Sequence, residues 1–278
     1  MEIMILSAII MGIATLFYLQ QIKAKDNKKT QQLGLEYISQ IKKIITIVQQ
    51  HRGLTAAWLN GDTKVTTQLV ILKQLISKEM KLLKFTPIYQ NERWSAFADH
   101  WDRLLKLNKN LLIENSFEQH TLMIRNLAYL LEDTAEISHL TTDFLPEFTN
   151  IGYVWRELIL TTESIGQSRA IGTGVATQQY CSSVDKIRLN FLIETMTKIT
   201  LNTLQHLSYL PQEINTHKEL VKRATEKMNQ LIETMKFELV NASTITIDNN
   251  QYFELATNTM STMNDIFDHQ VMQLKTTL

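Results

Sequence analysis

Apolar residues return at steps of three and four almost without pause beyond residue 30, the spacing of helices that each bury one face. Leu35, Ile38, Ile41, Ile45 and Val48 form the first such stripe. It stops at Asn60-Gly61, a helix-terminating pair, and Asp62 is placed to cap the next helix. Thr86-Pro87 sets a cap before a proline at the first helical position. Ser116-Phe117-Glu118-Gln119 has the form of a capping box, as does Ser182-Ser183-Val184-Asp185. Pro146-Glu147 and Pro211-Gln212-Glu213 put proline and acid at helix starts, where the helix dipole favours negative charge. Asn241 to Asn250 reads as a polar connection. The pattern predicts about eight helices, near 31–58, 62–83, 87–112, 116–140, 146–180, 183–208, 211–240 and 248–276. Short links between long helices make neighbours antiparallel. The expected architecture is all-α, with two consecutive antiparallel four-helix bundles over 31–145 and 146–278 that divide near Pro146.

Ahead of the stripes, Ile3 to Leu19 reads IMILSAIIMGIATLFYL, uncharged throughout. That is the short end of the roughly 17–25 residues that cross a bilayer. No basic region precedes it and no small-residue cleavage site follows, so it reads as an N-terminal transmembrane helix and not a cleaved signal. Lys23, Lys25, Lys28 and Lys29 come next. Basic flanks stay on the cytoplasmic side. Residues 1–30 are thus expected to be a single-pass anchor in a bacterial inner membrane, with the remaining chain in the cytoplasm. The opposite orientation would place it in the periplasm.

Composition narrows the function. Lys+Arg and Asp+Glu both number 28, a net charge of +0 that argues against nucleic acid or another polyanion as partner. Only 8 Gly and 3 Pro occur, too few for turn-rich β or α/β folds. A single cysteine, Cys181, excludes internal disulfides and a cysteine zinc cage. The 7 histidines are dispersed, with no paired metal spacing, and neither a phosphate-binding loop nor a GxSxG elbow is present. No catalytic residue, metal or cofactor is expected. Trp58, Trp94, Trp101 and Trp155 read as core or bundle-interface residues.

Two arginines carry the functional signal. Gln50-His51-Arg52-Gly53-Leu54-Thr55 is echoed by Gln167-Ser168-Arg169-Ala170-Ile171-Gly172-Thr173. Arg52 extends the stripe of Ile41, Ile45 and Val48 by one more turn, and Arg169 follows Leu158, Thr162 and Ile165. Both therefore point inward, where a guanidinium is costly without an anion. Neither has an acid three or four residues away, and Glu163 is six positions before Arg169 and well round the helix. The partner must come from another helix or from a ligand. Gly166, Gly172 and Gly174 lie within nine residues, inside what otherwise reads as helix. Glycine costs about 1 kcal/mol there relative to alanine. Either two helices cross closely, or backbone N–H groups are freed for a ligand. The other six arginines, Arg93, Arg103, Arg125, Arg156, Arg188 and Arg223, have ordinary settings.

The run Gln50 to Gly61 resembles the first signature of the nitrate- and nitrite-sensing domain, in which Glu-Arg-Gly precedes Leu, a small residue and Leu-x-Gly. Gly166-Gln167-Ser168-Arg169-Ala170 is similar to that family's second arginine motif. His51 departs from it, standing where Glu or a second Arg is common, and the last helix has no arginine. The resemblance implies stacked bundles holding nitrate or nitrite between them through Arg52 and Arg169. Thr55, Gly172 and Thr173 would supply further donors.

This chemistry suits the ligand, because guanidinium offers a planar fork of donors to a planar monoanion. The expectation is a membrane-anchored sensor whose bundles rearrange on binding. It would signal to a separate protein partner or a second copy of the chain, since the sequence stops at Leu278 after the last helix. The competing expectation is a membrane-tethered helical adaptor in which the arginines are structural.

Overall fold

A computed structural model describes residues 2–107 and 111–278, with side chains from residue 11 onward except residue 107. Helix α1 (Glu2–Leu59) is followed by α2 (Thr66–Leu83), α3 (Glu92–Leu107), α4 (Ile113–Ile137) and a short α5 (Ile151–Trp155). Then come α6 (Glu157–Gln178), α7 (Ser183–Asn202), α8 (Ile214–Thr234) and α9 (Asn249–Thr277). Met235–Val240 prolongs α8 as a π-helix. No strand occurs among the described residues.

Helix α1 differs from the pattern reading, which set an anchor apart from a first helix starting near residue 31. Residues 2–59 form one continuous helix. The linking stretch from Gln20 to Leu33 holds neither proline nor glycine and is rich in Gln and Lys, which favour the helix. Among the described residues no helix is long and apolar enough to cross a membrane. The first part of the anticipated span, residues 3–10, lies outside the described side chains.

The stripe Leu35, Ile38, Ile41, Ile45 and Val48 is buried. It joins Trp94, Phe97 and Trp101 of α3 and Met123, Ile124 and Leu127 of α4 in the core. Each such aliphatic side chain contributes about 1.5–3 kcal/mol on burial. That seam fixes the rotation of α1, and so it turns Arg52, one helical step further on, inward. Helix α1 packs against α2 and α4, and α3 lies on α4. In the second half α6 packs on α7 and α9, and α8 on α7 and α9. Helices α4 and α1 also touch α6, and α1 touches α9. At the level of residue 31, the Gln31 amide donates to the His139 carbonyl at 2.9 Å and the Gln32 amide to the Leu278 carbonyl at 3.2 Å.

Several helix starts depart from the turn chemistry, Pro211 among them, since it opens a 3-10 turn before α8. Ser116 is no cap: its N–H bonds the Leu112 carbonyl at 2.9 Å, and α4 begins earlier because Leu112 supplies the extended residue a start requires. Thr86-Pro87 opens only a 3-10 turn, and Asn91 caps α3 by accepting from the Arg93 N–H at 2.8 Å. Pro146 sits inside a turn closed by the Phe148 N–H on the Leu145 carbonyl at 2.9 Å, the helix begins at Ile151, and Arg156 interrupts it before α6. The helix expected over 87–112 runs across residues 108–110, which lie outside the described residues. Ser182 does cap α7, accepting from the Asp185 N–H at 3.1 Å, and Gly61 ends α1 with φ 96°. Trp94, Trp101 and Trp155 are buried, whereas Trp58 is half-buried.

Candidate functional site

Arg52 is 2% exposed, and its partner comes from another helix. Its guanidinium forks the Glu163 carboxylate of α6, with Nη1 2.5 Å from Oε1 and Nη2 3.3 Å from Oε2. Nη1 also donates to Thr121 Oγ1 of α4 at 2.9 Å, and the group lies 5.0 Å from the centre of the Phe117 ring. Glu163 accepts further bonds from the Gln49 amide at 3.0 Å and the Gln167 amide at 2.9 Å. The carboxylate is thus held on both oxygens by donors from α1 and α6. Thr121 and Gln49 were not singled out from the sequence, and Glu163 and Gln167 were noted only as neighbours of Arg169. Glu163 did leave one signal: it is the only charged residue between Glu157 and Arg169.

Arg169 is half-buried and, among the described residues, has no carboxylate in hydrogen-bond contact. Its Nη1 donates to Thr257 Oγ1 of α9 at 3.1 Å, and its guanidinium stands 4.9 Å from the centre of the Phe253 ring. Burial lowers its pKa, the Arg52 charge lowers it further, and Glu163 opposes both. The three groups therefore sense one another. Two guanidiniums and one carboxylate leave a single positive charge in excess at the junction of α1, α4, α6 and α9.

The glycines of α6 have different duties. A methyl group on Gly166 would stand 3.0 Å from Nη2 of Arg52, so the bare backbone lets that guanidinium lie close against α6. At Gly172 the space is filled by Tyr252 of α9, whose ring carbons would be 2.3 Å from an added Cβ. The Tyr252 hydroxyl donates to the Ser168 carbonyl at 3.0 Å, one turn earlier. Close helix crossing is thus one reason for glycine at position 172. Gly172→Ala is expected to destabilise by about 1–3 kcal/mol through overpacking, read by urea unfolding. Equal midpoints for variant and parent would remove this account. Beside Gly174 a side chain would meet nothing within 4 Å.

Thr173 lies one turn beyond Arg169, and its buried hydroxyl has no hydrogen-bond partner. Thr55 is fully buried and faces His51, Oγ1 to Nδ1 at 3.3 Å.

That contact belongs to a feature the dispersed histidines concealed. His51 and His120 are both 0% exposed, and His51 Nδ1 lies 2.8 Å from His120 Nε2. His120 Nδ1 lies 2.6 Å from the Ser116 carbonyl. The carbonyl can only accept, so His120 carries its proton on Nδ1 and His51 donates from its own Nδ1 to His120. Burial lowers the pKa of His51 to about 3, helped by His120 and Lys73. Burial likewise lowers His120 to about 4, against the Ser116 bond and with the Arg52 and His100 charges. Among the described residues, no three His, Cys, Asp or Glu side chains group so as to hold a metal ion.

Four of the remaining arginines form ion pairs, Arg93 with Asp133, Arg103 with Asp99, Arg156 with Glu132 and Arg223 with Asp265. Arg125 and Arg188 instead line a cleft of about 340 Å³ between α4, α6 and α7. Thr121 and Gln167 line the same cleft, and these two also bond Arg52 and Glu163. The cleft thus leads from solvent toward the buried pair.

The family model described as nitrate and nitrite sensing matches residues 43–275. No curated protein and no solved structure matches the chain.

Proposed function

The chain belongs to the nitrate and nitrite sensing family, and from that premise we propose that it binds one nitrate or nitrite ion where α1, α6 and α9 meet. The observation that carries this reading is the single excess positive charge of Arg52, Arg169 and Glu163 at a largely buried junction. A monoanion neutralises that excess, whereas a dianion overshoots it and a neutral ligand leaves it. Guanidinium presents donors in a planar fork that fits two oxygens of a planar, weakly hydrated anion, which ammonium cannot imitate. Arg169 is the cation without an acid in contact, and the unpartnered Thr173 hydroxyl one turn on is a suitable further donor. Thr55 faces the His51–His120 pair and the space beside Gly172 is filled by Tyr252, and this proposal assigns neither a contact with the ion.

The ligand works as a signal because Arg52 and Arg169 come from helices in different halves of the chain. We place α1 to α4 in one four-helix bundle and α6 to α9 in the other. An ion bound across them stabilises one relative arrangement of the two bundles, and a separate protein or a second copy of the chain reads it. No reaction is assigned to the site. The anchor remains part of the proposal: Met11, Ile13, Leu16 and Phe17 on α1 are exposed apolar residues, followed by the lysines of residues 23–29. Release of the protein from membranes by an alkaline wash would remove the anchor.

Calorimetry on the purified chain, titrated with nitrate, nitrite, chloride and sulfate, tests the site. Heat is expected for the first two ions alone, and Arg169→Ala should abolish it. Absence of heat and of any thermal shift at millimolar nitrate and nitrite would sink the sensor reading. The adaptor reading draws on a specific observation, the pairing of Arg52 with Glu163, which gives that arginine a structural task. It predicts a stoichiometric protein partner that co-purifies whether or not nitrate is present.

A further inference from the structure

Glu163 is an anion already seated at the proposed site. Its head group is planar, carries a single negative charge, and offers two oxygens to the two terminal nitrogens of Arg52. Nitrite presents the same pair of oxygens about a bent centre, and nitrate presents it on each edge. What the Arg52 fork recognises in Glu163 is therefore what it would recognise in the ligand.

The surroundings are built for that head group. The Gln49 amide fills one carboxylate oxygen and the Gln167 amide the other. Gly166 provides the room for the Arg52 fork at this point. The carboxylate belongs to α6 and the fork to α1, so their pairing is itself a tie between the two halves of the chain.

We infer that Glu163 is a tethered competitor of the anion: it holds the Arg52 fork in the unliganded protein, and nitrate or nitrite must displace it to bridge Arg52 and Arg169. The inference rests on the binding site proposed above and names the residue that sets its affinity. A ligand that binds only when the fork is free has its apparent affinity reduced by the fraction of molecules in that state. A tight internal pair keeps this fraction small. It tunes the sensor to higher ligand concentrations, and exchange of partner on Arg52 converts binding into a change in the contact between α1 and α6. Displaced, the Glu163 carboxylate keeps the Gln49 and Gln167 amides. The charges of Arg52, Arg169, Glu163 and the bound monoanion then sum to zero.

Affinities of nitrate for the parent chain, Glu163→Gln and Gln167→Leu, measured by calorimetry, test the inference. Glu163→Gln keeps the shape, removes the competing charge, and is expected to bind nitrate at least tenfold more tightly. Gln167→Leu leaves the carboxylate but takes away one of its donors, and should tighten nitrate binding severalfold in a protein whose ion pair is intact. Weaker or unchanged affinity in both variants, with the parent binding nitrate, would overturn the competitor role while leaving the binding site standing. Silence in the parent and in both variants would remove the site itself. A third measurement covers a poorly folded Glu163→Gln. Glu163→Ala should gain thermal stability from formate, the free form of the missing head group, as well as from nitrate and nitrite, and not from chloride at equal ionic strength. Equal effects of all four ions would count against the inference.

Discussion

Arg52→Ala is expected to destabilise the protein by about 3–5 kcal/mol, the usual consequence of removing one member of a buried ion pair. The loss arises less from the attraction itself than from what remains. Glu163 would stay buried, with two glutamine amides and no cation in contact. Urea unfolding of the variant, with Arg103→Ala as control, measures the effect. Arg103 pairs with Asp99 in full exposure, and such pairs contribute about 0–1 kcal/mol. The double variant Arg52→Met with Glu163→Gln should recover much of the loss, because it removes both charges together. A loss for Arg52→Ala no larger than that of the control would show that the pair is not shielded from water as described.

Acid should act nearly as strongly, through His51 and His120. Both titrate near 6.5 in the unfolded chain and at about 3 and about 4 in the fold. The unfolded state therefore takes up protons first. The two histidines contribute their full stability above pH 6.5, and it is lost as the pH falls through the window down to about 4 for His120 and about 3 for His51. Between pH 7 and pH 5 the two together account for roughly 4 kcal/mol, at 1.36 kcal/mol for each pH unit and each group. Denaturant melts across that range provide the check, and the His51→Gln, His120→Asn double variant should flatten the slope. Stability that stayed level from pH 7 to pH 5 in the parent chain would contradict the buried, neutral state of this pair.

The sequence carried most of the fold because helical period and turn chemistry are local. The stripe from Leu35 to Val48 defines the buried face of α1, and its continuation makes Arg52 point inward. What local pattern cannot specify is which side chain another helix places opposite. Glu163 is 111 residues from Arg52, and their meeting depends on how α1 and α6 cross. His51 and His120 are 69 residues apart, and each alone reads as an ordinary helix-face histidine. Gly172 shows the same limit in another form. Its rarity within a helix was legible, but the reason for it is the Tyr252 ring, carried by a helix 80 residues further on. Ser116 failed for the opposite reason. The capping-box letters were present, yet the chain had already turned helical at Ile113.

The unbroken course of α1 has a mechanical consequence. From Arg52 back to Glu2 the helix covers about 75 Å at 1.5 Å per residue, and no proline interrupts it. Proline is among the commonest causes of a sharp bend in a helix. Without such a break, a twist or axial slide imposed at Arg52 would be passed on along the helix. Were Arg52 to shift on ligand binding as proposed, α1 would carry that shift along its own axis, away from the site.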